Sequence, residues 1–308
     1  MAPATPVRWL QSWWQRRGRA APAVAAEPSS APRGIAGYRT LRLLGRGATA
    51  EVHLALHEAS GQLVALKLFA FEGETSAALD EALARFVAEA DTSRRLRHPD
   101  IIAVLDAGRA PGLAWLAMEY VEGHDLSRYT VRARLLPEAL VLGIGVRLAR
   151  ALAHAHGQGV IHRDIKPANV RVDLTHDVVK LGDFGVARLA DAARTRTGLM
   201  LGTPAYMAPE LLAGGEPGPA ADIHALAVML YELLAGERPY RGDTLGELIR
   251  EVAQQPVPAL RARRPDLPEA LSDLLSQAMA KRPEDRPALA RDLAEALDSV
   301  RGELPGPA

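Results

Sequence analysis

The 308-residue chain has no cysteine, no long apolar run and no excess of charge of either sign. Without cysteine it cannot form a disulfide, use a thiolate nucleophile or bind a metal through sulfur. No apolar run approaches the roughly 20 residues of a transmembrane helix, and the N-terminus lacks the basic-then-apolar order of a secretory signal. These absences predict a cytoplasmic protein. Lysine plus arginine and aspartate plus glutamate each number 37, so charge does not indicate nucleic acid as the main partner.

The first 37 residues differ in composition from the rest. Residues 21–37 are rich in Ala, Pro, Ser and Gly, which predicts a flexible linker. The segment from Trp9 to Arg19 places Trp13 and Trp14 at helical spacing from Trp9, among arginines. Such a segment could dock weakly on a membrane surface or on a partner. The alternative is a disordered tail whose tryptophans pack loosely on the domain, and the sequence leaves both open.

The hydrophobic pattern divides the remainder into a strand-rich part and a helical part. Strands are predicted over 38–44, 51–56, 63–69, 101–107 and 113–120, with one main helix over 77–97. Beyond a glycine-bearing connector at residues 121–123, a hairpin is predicted over 170–181. Helices are predicted over 137–158, 220–234, 245–254, 268–280 and 288–301. The sequence therefore predicts an α+β domain over 38–299, with an antiparallel-sheet lobe over 38–121, a larger helical lobe over 122–299, and a tail over 300–308.

The densest group of polar residues is His162-Arg163-Asp164-Ile165-Lys166-Pro167-Ala168-Asn169. It follows an Ala- and Leu-rich helical pattern, as a catalytic loop would. Asp164 could accept a proton from a hydroxyl, Lys166 could neutralise a phosphoryl oxygen, and Asn169 could offer its carbonyl to a metal. The alternative is a polar turn in which Asp164 and Asn169 only satisfy backbone groups.

Two upstream features could bind phosphate. Gly45 and Gly47 lie in a turn between two strands, where the lack of a Cβ lets the backbone approach a phosphate. On its own the turn is better explained as a hairpin turn, and only the strand on either side of it supports phosphate binding. Lys67 lies in an otherwise apolar strand and needs a partner if it faces the core, since burying an unpaired charge is costly. Glu89 on the predicted helix is the expected partner, and the alternative is that Lys67 reaches solvent at the strand end.

Two downstream features complete the pattern. Asp183-Phe184-Gly185 follows the predicted hairpin, and its carboxylate suits a hard cation such as Mg²⁺, although an ordinary turn would look similar. Thr195 and Thr197 lie among arginines in a stretch without apolar periodicity. That stretch ends at Gly202-Thr203-Pro204-Ala205-Tyr206-Met207-Ala208-Pro209-Glu210. The absence of apolar periodicity around Thr195 and Thr197 predicts a mobile loop, and a plain surface loop is the alternative.

In this order, the motifs resemble those of the eukaryotic-like serine/threonine protein kinases, and most closely the bacterial branch. The resemblance covers residues 38–299. It rests on Gly45, Gly47, Lys67, Glu89, His162-Arg163-Asp164, Lys166, Asn169, Asp183-Phe184-Gly185 and Ala208-Pro209-Glu210.

The resemblance implies a two-lobed fold that transfers the γ-phosphoryl group of ATP to protein Ser or Thr hydroxyls. Asp164, Lys166, Lys67 and Glu89 would be catalytic, and Asn169 and Asp183 would hold Mg²⁺, with Mn²⁺ as a substitute. The implied nucleotide-binding positions are Gly45, Gly47, Val52, Ala65, Lys67, Met118, Glu119, Val121 and Arg171. The resemblance also implies that Glu210 pairs with Arg286 and that Asp222 braces the catalytic loop.

Regulation is implied at Arg163, which would contact a phosphate placed on the loop between Asp183 and Glu210. Thr197, and secondarily Thr195, match the family's phosphorylated positions. We therefore expect autophosphorylation there, for which a transient homodimer would allow transfer in trans.

The chain departs from the family pattern at Arg171, where the family usually has an apolar residue under the adenine. Its stem could pack there while the guanidinium escapes, or it could weaken nucleotide binding. The second possibility keeps open a pseudokinase that acts as a nucleotide-binding scaffold. A small-molecule phosphotransferase has less support, because residues 202–210 look like a peptide-substrate platform.

Overall fold

The computed structural model describes residues 35–47, 50–70, 86–88, 90–110, 113–184 and 204–304. These residues form the predicted α+β fold of two lobes: a smaller lobe around a five-stranded antiparallel sheet, and a larger, mostly helical lobe. The strands of the smaller lobe are β1 (Tyr38–Arg46), β2 (Ala50–His57), β3 (Leu63–Ala70), β4 (Val104–Ala110) and β5 (Leu113–Glu119), in the order β1-β2-β3-β5-β4.

Strand β3 shows how the sheet separates its side chains. Val64 and Leu66 are buried on one face, in a small apolar cluster. Because side chains alternate along a strand, Lys67 and Phe69 lie on the opposite face of the sheet. There Phe69 packs edge-on against Phe86 at 5.2 Å between ring centroids. Phe86 belongs to helix α1, of which residues 86–88 and 90–95 are described as helical.

The strand predicted over 101–107 was wrong at its start, since β4 begins at Val104. The preceding residues bond to the other lobe instead. Leu181 donates its N–H to the Asp100 carbonyl at 2.8 Å, and Ile102 donates to the Leu181 carbonyl at 2.8 Å. This segment therefore ties the end of the α1 region to the larger lobe.

The connector between the lobes is held against a second, three-stranded sheet. This sheet contains β6 (His124–Asp125), β7 (Val170–Asp173) and β8 (Val178–Leu181), in that order. Gly123 has a φ of 101°, and a Cβ there would lie 2.1 Å from the Val172 carbonyl oxygen. Only glycine fits this close approach of the connector to β7.

All five helices predicted for the larger lobe form, with their ends shifted by at most two residues. With the short helix α3, which the sequence did not predict, the helices are α2 (Glu138–Gly157), α3 (Pro209–Leu212), α4 (Pro219–Ala235), α5 (Leu245–Gln254), α6 (Glu269–Ala278) and α7 (Ala290–Glu303). Helix α4 is buried on nearly every side, as expected for a helix that is apolar all round. No helix in the described residues is both long and apolar enough to cross a bilayer.

Candidate active site

The loop over residues 162–169, predicted to be catalytic, is held by Asp222 in the first turn of α4. Its carboxylate accepts hydrogen bonds from the backbone N–H groups of His162 and Arg163, each at 2.8 Å. It also contacts Nε2 of His156 at 2.8 Å. Asp222 is only 1% exposed, so these partners are what make burial of its charge tolerable. They also hold Arg163 at a φ of 72°, a backbone region that is costly for a non-glycine residue.

His162 links this loop to the segment that carries Asp183. The Asp164 N–H donates to Nδ1 of His162 at 3.2 Å, so Nδ1 is the acceptor nitrogen. Nε2 must then carry the proton that it donates to the Gly182 carbonyl at 2.8 Å. The ring also packs edge-on against Phe184 at 4.5 Å. The fully buried His162 therefore fixes the spacing between the two segments.

Asp164, Lys166 and Asn169 contact one another. Lys166 Nζ lies 2.6 Å from Asp164 Oδ2. The amide nitrogen of Asn169 donates to the same oxygen at 2.9 Å and to the Asp164 carbonyl at 2.7 Å. Since Nδ2 points toward Asp164, the amide oxygen of Asn169 is the atom left for a metal or another donor.

Lys67 meets Asp183 across the cleft between the lobes. Its Nζ donates to Asp183 Oδ1 at 2.7 Å, and the Lys67 side chain is 12% exposed. Burial alone would raise the pKa of Asp183, but the charge and hydrogen bond of Lys67, together with His162 and Lys166, outweigh it and the pKa is lowered overall. Asp183 also has a positive φ of 65°. The predicted partner of Lys67, Glu89, lies outside the described residues.

A cavity of about 250 Å³ opens between the lobes and brings most of the predicted nucleotide-binding residues together. Its lining includes Leu44, Gly45, Val52, Ala65, Lys67, Ile102, Met118, Glu119, Tyr120, Val121, Ala168, Asn169, Arg171, Gly182 and Asp183. Gly47 is described but is not part of this lining. The cavity is apolar toward Val52 and Met118 and charged toward Lys67 and Asp183.

Two cations contact the residues that lead from the smaller lobe into the larger one, and of these only Arg171 lines the cavity. Arg171 Nη2 donates to the carbonyls of Val121 at 3.2 Å and Gly123 at 2.7 Å. Lys180, which belongs to none of the sequence motifs, pairs with the Glu119 carboxylate at 2.8 Å. Like Lys67, Lys180 is a single lysine in an apolar strand, and that pattern could have revealed it.

The platform residues lie beside the catalytic loop. Tyr206 lines a recess that also contains Arg163 and Asp164. Its hydroxyl donates to Glu232 at 2.5 Å. Arg286, whose side chain is fully buried, makes the predicted pair with Glu210 through two bonds of 2.7 Å.

Several predicted features lie outside the described residues. These are the regulatory threonines Thr195 and Thr197, Gly185, and the segment from Trp9 to Arg19.

The two lobes, the paired loops and the charged cleft between them are the arrangement expected of a protein-kinase fold. A family model described as "Protein kinase domain" matches residues 38–297, and the chain belongs to this family. It is 38% identical over 278 residues to serine/threonine-protein kinase pkn3 of Myxococcus xanthus, covering 86% of this chain and 50% of the relative. It is 39% identical over 258 residues to serine/threonine-protein kinase PknH of Mycobacterium tuberculosis, covering 83% of this chain and 41% of the relative.

The chain thus spans half or less of the length of these curated relatives. They confirm the predicted resemblance to the bacterial serine/threonine kinases. Among solved structures, that of Rad53 1-466 in complex with AMP-PNP has a TM-score of 0.69 at 23% identity. It covers 85% of this chain and 64% of the Rad53 chain, and confirms the predicted fold.

Proposed function

We propose that this chain is an active serine/threonine protein kinase that binds ATP between its lobes and transfers the γ-phosphoryl group to protein hydroxyls. One observation carries the proposal. The Asp164–Lys166–Asn169 group and the Lys67–Asp183 pair meet at one cleft, because Asn169 bonds to Asp164 and lines the same cavity as Lys67 and Asp183. That is the set of charges needed to position a nucleophile and to neutralise a transferring phosphoryl group.

Each residue has a role in the proposed transfer. Asp164 orients the substrate hydroxyl and accepts its proton while the hydroxyl oxygen bonds to the γ-phosphorus and the bond to the ADP leaving oxygen breaks. Lys166, 2.6 Å from Asp164, neutralises the transferring group. Lys67 binds the phosphates that remain on ADP. Val52, Ala65 and Met118 enclose the base, and the backbone of Glu119 and Val121 offers it hydrogen bonds.

Mg²⁺, or Mn²⁺ in its place, fits the residues present. Asn169 offers an amide oxygen and Asp183 a carboxylate, and both line the cavity; these are the hard oxygen ligands that Mg²⁺ prefers. Among the described residues, no cluster of three or more His, Asp or Glu side chains could hold a metal without help. This suits an ion shared with substrate phosphates, where it would neutralise phosphate charge.

Activation by autophosphorylation at Thr197, with Thr195 second, belongs to the same proposal. Arg163 lies next to Asp164 and has a strained backbone, so a phosphate bound to it would act directly on the catalytic loop. Transfer in trans would need a transient homodimer. We also propose that residues 1–37 form an extension that docks weakly on a membrane or a partner through Trp9 to Arg19, outside a kinase domain over 38–299.

The test is incubation with Mg-ATP, with and without a generic basic protein substrate, followed by detection of phosphothreonine and mapping by mass spectrometry. Asp164→Asn should lower kcat by about 10²- to 10⁴-fold. The matched control is Asp298→Asn on helix α7, outside the proposed site. It alters a carboxylate that pairs with Arg150 of α2 and Arg301 of α7, and it should leave kcat unchanged. Nucleotide binding by the unmutated chain without any transfer would contradict an active kinase and favour a pseudokinase scaffold.

A further inference from the structure

Arg171 is a cation in the wall of a largely apolar cavity. Strand β7 buries Val170 and Val172 in the larger lobe, and alternation along the strand turns Arg171 to the opposite face. That face lines the cavity between the lobes. A charged side chain in such a wall needs partners, so its contacts indicate what it does.

Those partners are both backbone carbonyls of the connector. One nitrogen, Nη2, donates to the Val121 carbonyl at 3.2 Å and to the Gly123 carbonyl at 2.7 Å. The donor is charged, so these bonds are stronger than ordinary amide hydrogen bonds. Arg171 therefore bonds to the two residues on either side of Glu122.

Independent contacts hold the same stretch to the larger lobe. Gly123 packs against the Val172 carbonyl so closely that a Cβ would lie 2.1 Å from it. Strand β6 follows directly, and Asp125 pairs with Arg171 in the antiparallel register. The Arg171 charge also reaches His124, whose pKa is lowered by burial first and then by Arg128 and Arg171. The connector is thus tied to β7 from several sides, and Arg171 supplies the contact that faces the cavity.

We propose that Arg171 is a positioning residue for nucleotide binding. Its guanidinium fixes the Val121–Gly123 backbone and thereby sets the position of the backbone groups that contact the base. The Val121 carbonyl is then already occupied, which leaves the N–H of the same residue as the group offered to a ligand. The inference rests on the proposed function only in taking a nucleotide as the ligand.

Substitution by leucine gives opposite results for two explanations. If Arg171 only replaces an apolar floor residue, Arg171→Leu should improve contact with the base and tighten ATP binding. If Arg171 positions the connector, the same substitution should raise the KM for ATP and the Kd for ADP by about three- to tenfold, with kcat within about twofold. Arg171→Lys keeps the charge and part of the donor capacity, so it should recover part of the loss.

Calorimetric titration with ADP and kinetics with Mg-ATP are measured on the full chain. Arg128→Leu is the matched control, because it removes a nearby positive charge that contacts the His124 ring at 3.1 Å rather than a connector carbonyl. It should change ADP binding by less than about twofold. Thermal unfolding without nucleotide separates loss of binding from loss of fold, and a Kd measured on folded protein at low temperature keeps the comparison valid.

Equal or tighter ADP binding by Arg171→Leu, or an equal loss in Arg128→Leu, would overturn the inference. This outcome is distinct from failure of the proposed function. A chain that binds ADP but transfers no phosphate would not be an active kinase, yet its ADP affinity would still report on Arg171.

Discussion

The smaller lobe divides its apolar side chains between the two faces of one sheet, whereas the larger lobe packs its side chains into one core. The smaller lobe has one cluster around Val64 and Leu66 and another around Phe69 and Phe86. Strand β1, at the edge of this sheet and next to the glycine turn, is largely exposed. In the larger lobe a single cluster includes residues of α2, α4, α6 and α7.

The two lobes also contribute different parts of the proposed active site. The residues proposed for proton transfer lie on a loop whose backbone is bonded to Asp222 on the most buried helix. The residues proposed to cover the nucleotide lie on the less buried sheet. Regions with fewer buried contacts open at lower free energy. The comparison therefore predicts that the catalytic loop stays fixed while the sheet of the smaller lobe, which covers the nucleotide, deforms more easily.

Matched leucine substitutions in the two cores would break or support this comparison, and they carry the largest expected effect. Leu152 in α2 and Leu66 in β3 are both 0% exposed, and Leu→Ala at such sites costs about 2–5 kcal/mol. We expect Leu152→Ala to lower the global free energy of unfolding by that amount. Leu66→Ala should instead weaken ADP binding and amide protection in the smaller lobe, with less effect on the main unfolding transition.

Chemical denaturation, hydrogen exchange and ADP titration on both variants test this. The unmutated chain shows whether both lobes unfold in one transition. If Leu66→Ala lowers the main transition as much as Leu152→Ala does, the lobes share one cooperative unit and the proposed contrast fails.

The sequence predicted regular elements better than the contacts between them. The helices over 137–158 and 245–254 have strong start signals, a proline and a Thr244–Glu247 capping box, and they form within a residue of prediction. The strand predicted over 101–107 began too early, because bonds to Leu181 in the other lobe replace strand pairing there. Local patterns do not encode such long-range bonds.

The same limit applies at the site. Asp164, Lys166 and Asn169 are close in sequence, and their convergence could be predicted. The family resemblance predicted the bracing by Asp222 and the Glu210–Arg286 pair. The contacts of Arg171 with the connector and of Lys180 with Glu119 depend on where β7 and β8 lie relative to residues about 50 to 60 positions earlier in the chain. Only the folded arrangement reveals them.

Asp222→Asn tests whether the catalytic loop is held as firmly as the comparison requires. The Asp222 carboxylate accepts the N–H groups of both His162 and Arg163, whereas an amide would turn an N–H toward one of these donors. We expect a loss of about 1–3 kcal/mol in the free energy of unfolding and of about 100-fold in kcat, because displacing the loop misplaces Asp164.

Measurement of kcat well below the unfolding temperature separates the two effects of this variant. Asp266→Asn serves as a control, since it alters an exposed carboxylate paired with Arg264. A kcat equal to that of the unmutated chain would show that the loop keeps its geometry without the Asp222 carboxylate.

His224 on α4 is a buried polar residue in the mostly apolar core of the larger lobe. Its replacement should have the smallest of the predicted effects. The residue is 0% exposed, and neither ring nitrogen makes a hydrogen bond of good geometry with the described residues, although the Tyr206 backbone lies close enough to oppose part of the fall in the pKa of His224. Burial, followed by the Arg286 and Lys281 charges, lowers the pKa of His224 to about 3. Leucine has a similar volume, and His224→Leu should stabilise the fold by about 1–3 kcal/mol near pH 8, because two polar atoms without good hydrogen bonds leave the core.

The sign of the pH dependence follows from the lowered pKa. Below about pH 6.5 the unfolded chain binds a proton on His224 that the native chain excludes, so acidification destabilises the native chain by up to about 1.4 kcal/mol per pH unit until roughly pH 3. His224→Leu lacks this contribution, and its advantage over the unmutated chain should grow as the pH falls from 6.5 to 5. Tyr231→Phe is the matched control, because it removes the Tyr231 hydroxyl, a buried group with no hydrogen-bond partner in the part of the chain that the structure describes. Burial raises the pKa of this hydroxyl, so Tyr231→Phe removes no group that titrates in this range. Its effect on urea denaturation should therefore be independent of pH, and a His224→Leu profile parallel to that of Tyr231→Phe would show that His224 is protonated in the native core.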